Sequence, residues 1–265
     1  MAAYLGPAQR ASRLFDQSPH GLVPQSWRPR EMVSGTVNAD GFGLGWYPSD
    51  ADPRPALYRS LLPAWADPNL EALGRVAESG LIFGAVRGAT IPGSTAYADT
   101  PPFQAGPLLF MHNGFIEGFH QGPMRALRAQ LDDAVYASLR GSSDSETLFG
   151  LCRTFLGSKQ GPEALGAALD QTLAALAALN GGAPPKIMAS LWLSDGASIA
   201  VARWASPGTA APSLHLAEGA SGWGGGHLLA SEPLDDDPAW RTVDPGQLVI
   251  LSSAGATQAP LRASA

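Results

Sequence analysis

A chain of 265 residues that is 45% hydrophobic and 15% charged has enough apolar material for a sizeable core and is not generally disordered. Its formal net charge of −6, pI near 5.3 and lack of a long basic cluster argue against nucleic acid as a partner. Thirty-one glycines and 23 prolines imply many tight turns and short elements, which disfavours a long helical bundle. One continuous domain over residues 1–265 is the expectation. The lone Cys152 cannot form an intrachain disulfide, and the first residues lack the basic start and apolar run of a signal peptide. No stretch approaches the ~18 consecutive apolar residues of a membrane helix. The expected compartment is therefore the cytoplasm, with no membrane partner.

In chain order, Ala3-Tyr4-Leu5 is apolar and stops at Gly6-Pro7, predicting a strand almost at the N-terminus. Residues 42–47 alternate glycine with aromatic or aliphatic side chains and, with residues 56–59, predict a hairpin with a loose turn. Asp67-Pro68 ahead of Leu70, Leu73 and Val76 predicts a helix that ends by Gly80. The compact apolar runs 81–86 and 108–111 predict buried strands. Helices are predicted over 145–156, opened by Asp144, and 163–179, opened by Pro162 and ended by the Gly/Pro run 181–185. Beyond them, 187–193, 198–204, 214–217, 227–230 and 248–251 have strand length, with 206–213 as a surface loop. Strands, then a helix pair, then more strands predict an α+β fold of antiparallel sheet layers with helices packed on them.

Four segments carry polar groups that packing alone explains poorly. In 38–47, an Asn/Asp/Gly turn runs into a strand with Gly43 and Gly45 on one bare face, open to a backbone or a ligand. Arg87 ends the apolar strand 81–86, and its planar fork suits either a carboxylate ligand or a structural ion pair. Asn113-Gly114, read as a tight turn after 108–111, offers a side-chain amide and a backbone N–H, a usable oxyanion hole. Asp144 fits both a helix cap and an acceptor for a substrate ammonium. The histidines His20, His112, His120, His215 and His227 show no metal-ligand spacing, and Gly224-Gly225-Gly226 precedes a strand and so makes no phosphate cradle. No metal and no cofactor are expected. Cys152 falls in the apolar register of a helix and reads as an inert core residue.

Taken in order, Ala3-Tyr4-Leu5-Gly6-Pro7, Gln25-Ser26-Trp27, residues 36–43, Ala85-Val86-Arg87, His112-Asn113-Gly114, Asp144-Ser145-Glu146 and residues 230–238 resemble the class II, N-terminal-nucleophile glutamine amidotransferases. Within them the chain is most similar to the ergothioneine-biosynthesis amidohydrolases, which remove the γ-glutamyl group of γ-glutamyl-hercynylcysteine sulfoxide. The resemblance implies a four-layer α/β/β/α sandwich with two antiparallel sheets. It also implies roles: Arg87 for the α-carboxylate of the γ-glutamyl group, with Thr90 adding a contact to it, Asp144 for its α-ammonium, and Asn113 and Gly114 for the oxyanion. The expected partner is a small γ-glutamyl compound, and a homo-oligomer stays open. Trp27, Trp46 and Tyr47 are candidates for an aromatic rim that favours a trimethylammonium group.

Members of that family begin Met-Cys-Arg, and after methionine removal the cysteine is the nucleophile and its α-amine the base. This chain begins Met1-Ala2-Ala3. Aligning Ala3-Tyr4-Leu5-Gly6-Pro7 on the family's first strand sets Met1 two residues after the cysteine, so the expectation is that Met-Cys-Arg precedes Met1. Cys152 falls in a helix with no free amine beside it, and Ser12 or Thr36 would need a cleavage event for which the sequence carries no signal, so none is a substitute. Two other readings remain: a glutaminase subunit that supplies ammonia to a synthase, and a nucleophile-less γ-glutamyl-binding protein.

Overall fold

A computed structural model of the chain describes residues 1–32, 36–48, 52–88, 97–179 and 185–264. Its strands are β1 (Ala2–Arg10), β2 (Phe42–Trp46), β3 (Ala56–Ser60), β4 (Glu78–Val86), β5 (Phe103–Ala105), β6 (Leu108–Ile116), β7 (Ile187–Ser194), β8 (Ile199–Ala205), β9 (His215–Ala220), β10 (Gly226–Ala230), β11 (Trp240–Thr242), β12 (Gln247–Ser252) and β13 (Gly255–Pro260). They form two antiparallel sheets, ordered β11-β9-β10-β1-β4-β2-β3 and β13-β12-β8-β7-β6-β5. The helices are α1 (Leu22–Trp27), α2 (Leu70–Val76), α3 (Pro123–Arg128), α4 (Asp133–Ala137), α5 (Asp144–Leu156) and α6 (Pro162–Ala177), with a π-helical turn at Arg13–Gln17.

The two-residue period of each strand builds the layers. Along β4, Leu81, Phe83 and Ala85 pack against Met111 and Trp192 of the other sheet, while Ile82 and Val86 turn outward to Phe15 and Leu22. Along β6, Leu109 and Met111 face between the sheets and Phe110 faces the helices, stacking on Phe149 of α5 at 5.2 Å between ring centroids. Leu148, Leu151 and Cys152 of α5 and Leu165, Leu169 and Leu173 of α6 recur at helical spacing and close that outer layer. Three apolar clusters therefore separate four layers, α/β/β/α.

Several local expectations change. β1 runs through Gly6-Pro7, because a register shift between Leu5 and Gln9 absorbs the proline's missing N–H. β6 runs through Asn113-Gly114, which pair with Ser190 and Ala189 of β7 and make no turn. The helix after Asp67-Pro68 starts only at Leu70, and its Val76 is 72% exposed. Ser143, not Asp144, caps α5, its hydroxyl accepting the Glu146 N–H, and Asp144 is the first helical residue. The bare face of β2 is filled by protein, Gly43 lying against the Pro101 carbonyl and Gly45 against Leu109. The helix-ending run 181–184 lies outside the described residues. Phe83 sits fully buried between the sheets, so Phe83→Ala is expected to destabilise the fold by about 3–5 kcal/mol in urea unfolding, with Val76→Ala within about 0.5 kcal/mol of wild type.

Candidate active site

The ends of both sheets and the start of α5 converge on one cavity of about 220 Å³. Arg87, directly after β4, has its backbone fixed by two bonds, donating to Gly41 O and accepting from Asp40 N–H, both at 2.9 Å. Asn113 and Gly114 come from β6, Asp144 from the first turn of α5, and Met1 from the start of β1. The structure thus brings Arg87, Asn113, Gly114 and Asp144 to one wall system, whereas Thr90 lies outside the described residues. Trp27, Trp46 and Tyr47 do not line it. Trp27 is 51% exposed, and Trp46 and Tyr47 pack against apolar clusters on the two faces of their sheet.

Gly114 is required by its surroundings. Its φ is +151°, and a β-carbon there would collide with the Met188 carbonyl across the ladder and stand 2.8 Å from His112 Nε2. Asn113 shares the face of Leu109 and Met111, and its amide has no hydrogen-bond partner among the described residues. Asp144 accepts from Ser145 N–H through Oδ1 at 2.7 Å and from Ile116 N–H through Oδ2 at 3.1 Å, which fixes the carboxylate at a helix N-terminus. His112, buried on the opposite face of β6, lies 3.0 Å from the Ser145 hydroxyl, which in turn donates to Asp144 Oδ1 at 3.3 Å. Burial holds the His112 imidazolium below its usual range, partly opposed by the nearby Asp144 charge. A guanidinium, a carboxylate, a side-chain amide and the Gly114 backbone thus line one space.

Sequence reasoning missed the group that closes the far side. Glu232 is buried and pairs with buried His20 at 2.8 Å, while its oxygens accept the Arg30 and Glu31 N–H groups at 2.8 and 3.1 Å. Gln25 Nε2 ties this pair down by donating to His20 O and Glu232 O. Glu31 pairs with His215 at 2.9 Å. These bonds hold the segment carrying Glu31 and Met32 against the cavity. Ser231 and Glu232 stood within the run 230–238 already singled out, but their partners lie some two hundred positions away, beyond any local pattern.

Met1 O accepts the Ser231 N–H at 2.8 Å, and the Met1 α-amine donates to Ser231 Oγ at 2.8 Å. Burial pushes that amine from its ordinary 8.0 down to about 6, against the opposing pull of Glu232. Between those values the unfolded chain holds a proton that the folded chain does not, so stability rises with pH over this window and is lost on acidification. For a chain beginning at Met1 the expected loss from pH 8 to pH 6 is about 2 kcal/mol in denaturant unfolding. A chain extended upstream carries an amide nitrogen at this point and should lack that component, which separates it from the histidines.

No family model matches the chain. It is 30% identical over 254 residues to the γ-glutamyl-hercynylcysteine sulfoxide hydrolase of Mycobacterium tuberculosis, covering 96% of this chain and 93% of that protein. It is 29% identical over 259 residues to the protein of the same name from Mycolicibacterium smegmatis, covering 98% of each. A solved class II glutamine aminotransferase-domain protein from Silicibacter pomeroyi superposes with a TM-score of 0.70 at 28% identity over 98% of both chains. Full-length similarity to hydrolases, a sandwich of two antiparallel sheets between helices and a cavity at the start of β1 agree on one conclusion: the chain belongs to the class II, N-terminal-nucleophile glutamine amidotransferase family and is an amidohydrolase.

Proposed function

We propose that the protein hydrolyses the γ-glutamyl amide of γ-glutamyl-hercynylcysteine sulfoxide, releasing glutamate in ergothioneine biosynthesis, and that its nucleophile is an N-terminal cysteine two residues before Met1. The observation that carries this reading is the register of β1. Ala3 faces Phe83 and Leu229, and Ala2 faces Gly84 and Ala230. Continued at the same step, the first residue before Met1 meets Val86 and the second meets Arg87. Side chains alternate as well: Met1 and Ala3 face between the sheets, Ala2 and Tyr4 face outward. The second upstream residue therefore shares the side of Met1, the side on which Asn113 faces from the other sheet.

In this reading Arg87 binds the glutamyl α-carboxylate through its fork, with Thr90 adding a contact, and Asp144 binds the α-ammonium. The cysteine's own α-amine takes the thiol proton, and the thiolate attacks the γ-carbonyl carbon. Asn113 Nδ2 and the Gly114 N–H stabilise the tetrahedral oxyanion. Collapse breaks the C–N bond, the protonated α-amine gives its proton to the leaving nitrogen, and water then hydrolyses the thioester to free glutamate and thiol. His112 and Ser145 orient Asp144 from below.

The test adds Met-Cys-Arg before Met1 and assays glutamate release from a γ-glutamyl amide. Release is expected from the extended protein, with kcat lowered about 10²–10³-fold by Asn113→Ala. An extended protein whose N-terminal cysteine is correctly exposed and which stays inactive overturns the reading. Comparing glutamine with the bulkier amide separates this hydrolase from an ammonia-supplying glutaminase, for which glutamine is the better substrate.

A further inference from the structure

Beside the glutamyl cavity lies a second one of about 460 Å³ that shares Arg87, Asp99, Phe115, Ser143 and Asp144 with the first. It reaches Arg87 and Asp144 but not Asn113, Gly114 or Met1, so the two cavities meet at the α-end of a bound glutamyl group, away from its amide carbonyl. Asp99 stands at that junction, and none of the roles assigned so far uses it. Its carboxylate is half-buried and accepts one hydrogen bond, Oδ1 from the N–H of Ser143 at 3.2 Å, the residue directly before Asp144. Oδ2 has no partner among the described residues. The carboxylates of Glu31 and Glu232 on the same cavity each face a histidine, His215 and His20, whereas Asp99 is in no ion pair among the described residues.

The turn that carries Asp99 is pinned from the neighbouring sheet. Arg59 of β3 donates from Nη1 to the carbonyls of Tyr97 and Thr100, both at 3.2 Å, and its guanidinium lies 5.0 Å over the Tyr97 ring. Thr100 is fully buried, and its N–H closes the turn onto Tyr97 O at 3.3 Å. Gly141 backs onto the carboxylate so closely that a β-carbon there would collide with Asp99 Oδ1. A fixed carboxylate with one oxygen unused therefore borders the same space as Asp144. An α-ammonium carries three N–H donors, and both Asp144 oxygens already accept main-chain N–H groups. We propose that Asp99 is a second ligand for the α-ammonium of the substrate, which bridges Asp99 Oδ2 and Asp144, so that the pair selects an α-amino acid head group against acid amides that lack the amine. The inference deepens the reading that Arg87 and Asp144 hold the glutamyl head group, and it rests on that reading.

The test is calorimetric binding to the full chain of L-glutamine and of glutaramic acid, the same molecule without its α-amine, with weak binding read by displacement of glutamine. Wild type is expected to bind glutamine the more tightly. Asp99→Asn keeps an acceptor for the Ser143 N–H and is expected to weaken glutamine about tenfold, with glutaramic acid unchanged or tighter. Asp144→Asn should act on glutamine selectively in the same way. Glu117→Gln removes a carboxylate that lines the second cavity but not the first, and should leave both ligands unchanged. If Asp99→Asn weakens both ligands equally, the turn is only structural and the proposal is overturned, as it is if neither ligand changes; a selective loss in Asp144→Asn then leaves the head-group reading standing. A loss of glutamine affinity in Glu117→Gln as large as that in Asp99→Asn replaces the contact with a general field and also overturns it. Failure of glutamine to bind wild type, or an equal effect of Asp144→Asn on both ligands, overturns the inference together with the reading beneath it.

Discussion

The site depends on the position of β1. It is bonded to β10 on one side and β4 on the other, and Ala2, Ala3 and Tyr4 are fully buried in it. Small residues at the start of the strand let both neighbouring strands, the outer layer on one face and the second sheet on the other close around it. Tyr4 locks its axial position, its hydroxyl donating to Pro7 O at 2.6 Å and its ring packing 5.7 Å from Trp223. A one-residue slip would turn Ala3 outward and Tyr4 into the space between the sheets, which that packing forbids. The start of the chain is thereby held at the cavity mouth, beside Ser231 and in register with the strand that ends at Arg87.

Around that start, the chemical groups come from rigid and unrelated pieces of chain. Arg87 follows a strand of one sheet, Asn113 and Gly114 lie within a strand of the other, and Asp144 sits on a helix packed outside it. The Asp144 carboxylate already accepts two backbone N–H groups, so its orientation is set before any ligand arrives. The Asn113 amide is the contrast, half-buried on the inter-sheet face with no hydrogen-bond partner among the described residues. This donor, unpartnered among the described residues, stands with the Asp144 carboxylate and the Arg87 guanidinium around one cavity.

Much of the layer plan was legible in short-range pattern. Residues 81–86 and 187–193 are strands because their apolar runs lie in sheets covered on both faces, and α6 follows from leucines at helical spacing behind Pro162. What failed locally was decided by distant partners. Asn-Gly signals a turn on its own, yet eight residues of β7 pair alongside and carry β6 straight through it. The short strands β5 and β11 have no pattern of their own beyond three residues, and β13 is mostly exposed. Ser143 took the cap because its hydroxyl reaches the Glu146 N–H, freeing Asp144 to face the cavity and the Ile116 N–H. The pairing of His20 with Glu232, 212 positions apart, has no signature in either segment.

The proposed nucleophile lies ahead of Met1, and the most direct measurement is the intact mass of the protein expressed from its own gene with the natural upstream sequence. The expected mass includes Cys-Arg ahead of Met1 with the initiator removed, giving a free N-terminal cysteine at the level of Arg87. A mass that corresponds to Met1 or Ala2 as the first residue would contradict it.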